Sequence, residues 1–411
     1  MWKKNVVELP RHLTMGSFSN GLVAAMFGAA GPLLIVLQAA AKGHLSDAAT
    51  SSWILGIYGT GGILTLIMSF YYRLPIGYAF SIPGVILVGD SLAHHSLSQV
   101  AGAYLATGLL ILLLSLTGFI RTLMRSLPLP VMMGMVAGVL LPFGTDLFRS
   151  VLENPLLNGI PLLVFLILSL FAKLSKKFPP ILGAMLAAAV LLKVLPGSGS
   201  EGGLTFSVAI PQLVLPSFDL STMGELVVPL VLTVVAIQNA QGIAVLRSSG
   251  YEPPVNSMSS WSGIGCIVNS VIGAHSACVA GPMTAILADK ESGSHENRYA
   301  AAIVLGVLAC LVGLFAPMAA TIPHLIPASL IKMLGGMAMI GVLIDSFKMS
   351  FSGRFKSGAL FSFLITVSGI SILHIGAPFW GLIGGMAASL FLDRKDYGLP
   401  SEQKEPQPQG S

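Results

Sequence analysis

Stretches of roughly 17–25 residues, almost without charge, recur from one end of this 411-residue chain to the other. That is the length a helix needs to cross a hydrocarbon core about 30 Å thick. Lipid offers no water to bond an unpaired N–H or C=O, so a stretch of this kind must satisfy its backbone internally. Only 9% of the residues are charged, where a soluble domain carries about 25%. The chain therefore reads as an all-α polytopic membrane protein, and a soluble or secreted enzyme is excluded. The first block, about 17–40, is too long for the apolar region of a cleaved leader and has many successors, so it counts as a span.

Fourteen segments are expected, at about 17–41, 52–71, 75–91, 99–119, 128–146, 155–171, 179–195, 222–246, 255–272, 274–289, 299–317, 326–346, 357–374 and 378–392. With the N-terminus in the cytoplasm, 18 of the 22 basic residues fall in loops on that side, as the cytoplasmic bias toward Lys and Arg requires. Lys42, Arg149, Lys193 and Lys332 are the exceptions. A span missed or added would reverse the bias from that point on, so an even count with both termini cytoplasmic follows. The net charge of +5 records the same loop bias. Cys266, Cys278 and Cys310 are scattered among apolar residues and read as small buried hydrophobes. No disulfide, metal or cofactor is expected. The Pro- and Gln-rich tail, 396–411, has the composition of a disordered segment.

Two sets of seven spans would have opposite orientations in the bilayer, the inverted repeat common among transporters. Pro83 and Pro282 are 199 positions apart, as are Asp90 and Asp289, Pro128 and Pro327, and Asp146 and Asp345. The pairs fall on corresponding spans, three with ten and five with twelve. Within spans three and ten, 74–90 and 271–289, small and polar residues precede a Pro and a short apolar run. Pro suits the first turn of a helix. A helix from Pro83 to Asp90, or from Pro282 to Asp289, rises only about 10–12 Å. The preceding residues must then cross the other half of the bilayer in extended form, at about 3.3 Å each. Such backbone persists at that depth only when buried in protein or lining a watery cavity. Two half-helices would thus direct their positive N-terminal ends toward a shared place for an anion. Two Pro-kinked continuous helices are the alternative.

Span eight carries three amides in four positions, Gln238, Asn239 and Gln241, within an otherwise apolar run. Each needs partners where water is absent. On a helix they form one broad polar face, which would meet the unpaired backbone of the breaks and a substrate. The alternative is interhelical amide contact, worth about 1 kcal/mol each.

The run "IQNAQGIAVLRSSGYEPPVNS" (237–257), followed by "GAHSACVAGPMTAIL" (273–287) and "RYAAAIVLGVL" (298–308), resembles the benzoate/proton symporter family of bacterial inner membranes. In the first half, "RLPIGYAFSIPGVIL" (73–87) resembles the same family's Arg-x-Pro-Ile and Ser-x-Pro-Gly segments. The likeness covers nearly the whole chain. It implies the seven-plus-seven fold of nucleobase transporters and sulfate/anion exchangers, with elevator-type movement of a core domain against a gate domain. On that reading 1–126 and 221–323 form the core, and 127–220 and 324–395 the gate. A homodimer would meet through the gate. The Ser-Ala-Cys after His275 and the Gly281-Pro282 pair depart from the family pattern and bear most on substrate identity.

The resemblance implies a proton-coupled importer of benzoate or a similar aromatic carboxylate. Such a ligand needs dipoles for its charged end and an apolar slot for its ring. Candidates for the carboxylate are the N–H groups after Ser81 and Gly281, the hydroxyls of Ser81 and Ser276, and the amides Gln238, Asn239 and Gln241. Phe27, Tyr78 and Phe80 are the candidates to flank the ring. His275, the only His expected deep in the core half, is the candidate proton carrier, since span eight has no central carboxylate. Glu225 lies too near the start of that span, and Asp90, Asp146, Asp289 and Asp345 fall at span ends. His44, His94 and His95 fall in outer loops, and Lys332 is expected to snorkel to the outer surface. A nucleobase-like or small inorganic anion cargo is the alternative on the same fold, and a membrane sensor or enzyme a remote one. No nucleophile–base pair, metal cluster or phosphate loop supports an enzyme, and nothing points to nucleic acid.

Overall fold

A computed structural model describes residues 8–120, 128–171, 179–195, 206–372 and 375–397. Its principal helices are α1 (Met15–Lys42), α2 (Asp47–Tyr72), α3 (Ile82–Leu92), α4 (Leu97–Leu116), α5 (Leu129–Glu153), α6 (Pro155–Leu170) and α7 (Pro180–Val194) in the first half. The second half holds α8 (Leu220–Ser248), α9 (Val255–Ser270), α10 (Gly281–Leu287), α11 (Tyr299–Leu314), α12 (Ala328–Phe351), α13 (Lys356–Val367) and α14 (Ala377–Leu392). Among the described residues seven helices are long and apolar enough to cross a membrane (α1, α2, α4, α5, α8, α11 with the turn before it, and α12) and five more are apolar but shorter. Lys3, Lys4, Arg121, Arg125, Lys173, Lys176, Lys177 and Lys404 lie outside the described residues, as does the tail from 398. Asp396 and Tyr397 complete a helical turn, and Asp396 accepts the Phe355 N–H at 2.7 Å.

The helices pack as two sets. In one, α4 lies on α8 and α9, α11 on α1 and α2, and α10 on α1 and α8. In the other, α5 lies on α12 and α13, α13 on α14, and α6 on α7. The seam between the sets is formed by α1 with α12, α3 with α5, and α8 with α14. At Gly31 a kink ahead of Pro32 divides α1. A methyl group on Gly31 would sit 2.6 Å from Ala338 Cβ, so only glycine allows α1 and α12 this close. Outward faces remain apolar, as lipid contact demands; on α6, Leu156, Leu163 and Leu170 are all exposed.

Neither α3 nor α10 continues a rod across the bilayer. Each follows a two-residue strand, β1 (Tyr78–Ala79) and β2 (Cys278–Val279), and the strands pair antiparallel with Tyr78 opposite Val279 and Ala79 opposite Cys278. Ser81 caps α3, its hydroxyl accepting the Gly84 N–H at 3.2 Å with Pro83 in the first turn. The α10 helix starts at Gly281-Pro282 without a side-chain cap. Two π-helical turns, Leu55–Thr60 in α2 and Thr233–Asn239 in α8, widen those helices beside the crossing. Such turns recur at functional sites.

Candidate functional site

Extended backbone buried among helices needs partners for its outer edges, and this sequence supplies them as side chains. The Thr65 hydroxyl accepts the Tyr78 N–H at 2.8 Å, and the Ser69 hydroxyl donates to the Ile76 carbonyl at 2.9 Å. The Gly77 N–H donates to Thr284 Oγ1 at 3.2 Å and the Ala280 N–H to the Gly77 carbonyl at 2.8 Å, tying each break to the other. On the far edge the Val279 N–H donates to Asn239 Oδ1 at 2.8 Å, while Asn239 Nδ2 donates to Ser262 at 3.2 Å. Asn269 Nδ2 donates to the His275 carbonyl at 2.7 Å. Part of the polar content of α8 is thus explained: Asn239 is a backbone partner for β2.

Gln238 and Gln241 differ from Asn239. Both are partly buried, and among the described residues neither side chain makes a hydrogen bond. Gln241 packs against the start of α10, where a methyl group on Gly281 would lie 2.9 Å from Gln241 Cβ. Ser276 is buried beside the α3 cap and its hydroxyl accepts the Ser81 N–H at 3.4 Å. Ser81 and Ser276 therefore meet at the α3 cap, at one end of the paired strands, and Gly281 and Gln241 meet at the start of α10, beside Gly77 at the other end. The aromatic residues are not brought together. Tyr78 is fully buried and its phenol donates to the Met258 carbonyl at 2.8 Å, so it belongs to the packing of α9. Phe27 is 42% exposed, whereas Ala24 and Gly28 are the residues of α1 that meet α10. Only Phe80 stands near the α3 cap, edge-on to Tyr58 and His275 at 5.5 and 5.6 Å.

The surroundings of His275 bear on its expected role. It is fully buried, and the Trp53 indole N–H, a group that can only donate, points at Nδ1 at 3.0 Å. Nε2 lies 3.2 Å from the Ser81 carbonyl, which can only accept. These partners require the neutral ring with its proton on Nε2, donating to Ser81. A second proton would set N–H against N–H at Trp53. The ring holds β2 to the cap of α3 and has no free lone pair with which to carry a proton.

Two cavities open along the seam, at the level of Ile86 and Leu87, a turn or more along α3 from its cap. The smaller, about 470 Å³, lies between α1, α3, α5 and α12; its wall includes Ile35, Ile86, Val139, Phe143 and Ile331, with Lys332 at its edge. The larger, about 1000 Å³, is lined by Asp90, His94, His95, Arg149, Asp219 and Glu225, among others. Between them stands the ion pair of Lys42 with Asp90, which lines both. Neither cavity is lined by Ser81, Gln238, Gln241, Ser276 or Gly281.

The sequence reading passed over Glu225 and His95, which the fold pairs. His95 Nε2 is 3.2 Å from Glu225 Oε2, with the two side chains only 13% and 14% exposed at the border of the larger cavity. Glu225 also meets the second helix set. A methyl group on Gly376, the cap of α14, would lie 3.1 Å from Glu225 Oε1. No local motif announces a contact between residues 130 positions apart.

Long apolar helices, paired breaks in mid-helix and a polar seam between two helix sets define a multi-pass membrane transporter. The chain belongs to the benzoate membrane transport protein (BenE) family, which matches residues 12–391. It is 31% identical over 386 residues to the inner membrane protein YdcO of Escherichia coli (strain K12), covering 92% of this chain and 97% of the relative. It is 29% identical over 378 residues to the benzoate membrane transport protein of Acinetobacter baylyi, covering 90% and 94%. Its fold is that of the transmembrane domain of the cyanobacterial bicarbonate transporter BicA, with a TM-score of 0.60 at 15% identity over 92% of this chain and 98% of that one. Murine Slc26a9 in the inward-facing state is similar at a TM-score of 0.60 and 14% identity, over 95% of this chain and 71% of that one.

Proposed function

We propose that the protein is a secondary active transporter of the bacterial inner membrane that takes up benzoate or a similar aromatic carboxylate together with protons. The observation that carries this reading is the junction at the start of α3. There a buried helix N-terminus meets the Ser81 and Ser276 hydroxyls; the start of α10 and Gln241 lie at the other end of the paired strands, and among the described residues the Gln238 and Gln241 amides make no hydrogen bond. Dipoles of this kind suit a single carboxylate. Of Phe27, Tyr78 and Phe80, Phe80 is the one beside the α3 cap, next to the His275 ring that bonds Ser81. Membership in the family and the likeness to the Acinetobacter benzoate protein support the cargo.

On this reading fourteen segments cross the bilayer as an inverted repeat. The register of the strands supports it, because the paired residues Ala79 and Cys278 are 199 positions apart, the spacing of the four Pro and Asp pairs. The set containing the crossing is the core, 1–126 and 221–323, and the other set the gate, 127–220 and 324–395. Since His275 has no free lone pair, we assign proton uptake to the Glu225–His95 pair, which borders the larger cavity and touches the gate at Gly376. Asp90, His94, Asp219, Lys42 and Arg149 share that cavity.

The test is uptake of labelled benzoate into proteoliposomes under an inward proton gradient. Accumulation that follows the gradient supports the reading, and its absence with active, oriented protein ends it. The fold shared with a bicarbonate transporter favours a second reading, a small inorganic anion or a nucleobase-like ring as cargo. Ranking benzoate, uracil, xanthine and sulfate by thermal shift separates the two, because a bound ligand raises apparent stability.

A further inference from the structure

The lining of the smaller seam cavity holds two lysines and two aspartates, Lys42, Lys332, Asp90 and Asp146. Lys42 is paired with Asp90, and Asp146 with Arg149 at 3.5 Å. Lys332 remains, lining the cavity from the first turns of α12 with no ion-pair partner among the described residues. The rest of the wall is mainly apolar, with Ile35 from α1, Ile86 from α3, Val139 and Phe143 from α5, and Ile331 beside the lysine. At about 470 Å³ the space falls within the ordinary range for small-molecule sites, about 300–1,000 Å³.

One unpaired cation at the edge of an apolar slot selects a ligand with one negative charge and a flat apolar body. We propose that this cavity is an outer entry subsite for the aromatic carboxylate. Lys332 Nζ holds the carboxylate, and the walls from α1, α3 and α5 hold the ring. The inference rests on the reading of the protein as a carboxylate transporter and adds a place where the substrate is held before it reaches the α3 junction. A ligand there touches both helix sets. It is captured at the seam by a full charge, then passed to a site built from dipoles that binds it less tightly in the electrostatic sense and can release it. On this proposal Lys332, an exposed side chain lining the cavity, does more than snorkel to the surface.

The experiment measures initial rates of labelled benzoate uptake against concentration, in vesicles with the outer face outward, for the wild type, Lys332→Gln and Lys332→Arg. Lys332→Gln is expected to raise KM about tenfold, the effect of losing one charge-assisted contact, with Vmax within about twofold. Lys332→Arg keeps the charge and is expected to stay near wild type. Raising ionic strength should weaken apparent affinity in the wild type and scarcely at all in Lys332→Gln. An unchanged KM in Lys332→Gln overturns the subsite, and so does an equal loss in both variants with Vmax collapsing, which marks a packing role. Should Lys332→Gln not insert, the ionic-strength series on the wild type decides alone, a flat KM overturning the proposal. A wild type that takes up no benzoate removes the transport reading itself, and this subsite with it, before any variant is compared.

Discussion

Replacing His275 by Gln separates a latch from a proton carrier. Gln donates through its amide nitrogen and accepts through its amide oxygen, so it can reproduce both bonds of the ring, to the Ser81 carbonyl and from the Trp53 indole. It cannot take up a proton. The expected stability loss in His275→Gln is within about 1 kcal/mol, the net worth of one imperfectly replaced hydrogen bond. His275→Ala leaves the indole N–H and the Ser81 carbonyl without partners and opens a void against Trp53 and Phe80, for about 3–5 kcal/mol. Trp53→Phe removes the donor to Nδ1 together with part of a fully buried ring, for about 2–4 kcal/mol. Denaturant midpoints in detergent rank the three, and uptake with and without a proton gradient gives the functional reading. The order Gln, Phe, Ala by increasing damage, with gradient-driven accumulation retained in His275→Gln, is the expected result. A well-folded His275→Gln that exchanges benzoate yet no longer accumulates it would refute the reasoning, since the ring would then be carrying the proton.

The amides of α8 should part company. Gln238→Ala is expected to weaken benzoate binding about three- to tenfold with little change in stability, whereas Asn239→Ala should cost about 1–3 kcal/mol through the orphaned Val279 N–H; titration and denaturation of both variants decide. Glu225→Gln keeps the shape facing His95 and Gly376 but removes the ionisable group. Accumulation under a proton gradient should fall to the level of simple exchange while counterflow persists, and a variant that still concentrates substrate would clear Glu225 of the role.

The seven long apolar helices could be read in the sequence because apolar length is a local property, and the breaks because Pro after small residues leaves only a short helix. Contacts between distant segments could not be read. Three amides in four residues looked alike, yet one turn of α8 points Asn239 at β2 and leaves Gln238 and Gln241 unbonded among the described residues. The partners of His275 come from Trp53 and Ser81, 222 and 194 positions away. Tyr78 looked like a wall for an aromatic ring until its phenol found the carbonyl of Met258. Among the four basic residues on the unfavoured side, Lys42 and Arg149 are accompanied by Asp90 and Asp146. Those carboxylates read as mere helix ends in the sequence.

The crossing also limits how the molecule can move. Its edges are bonded by Thr65, Ser69, Asn239, Asn269 and Thr284, so pulling one stub from the other would strand peptide groups where nothing could rescue them. A shift of the entire block past α5 and α12 sacrifices far less, such as the single Gln38 amide contact with the Ile331 carbonyl. On the proposed transport reading, cargo at the crossing would therefore move with the whole block, along the neighbouring helices.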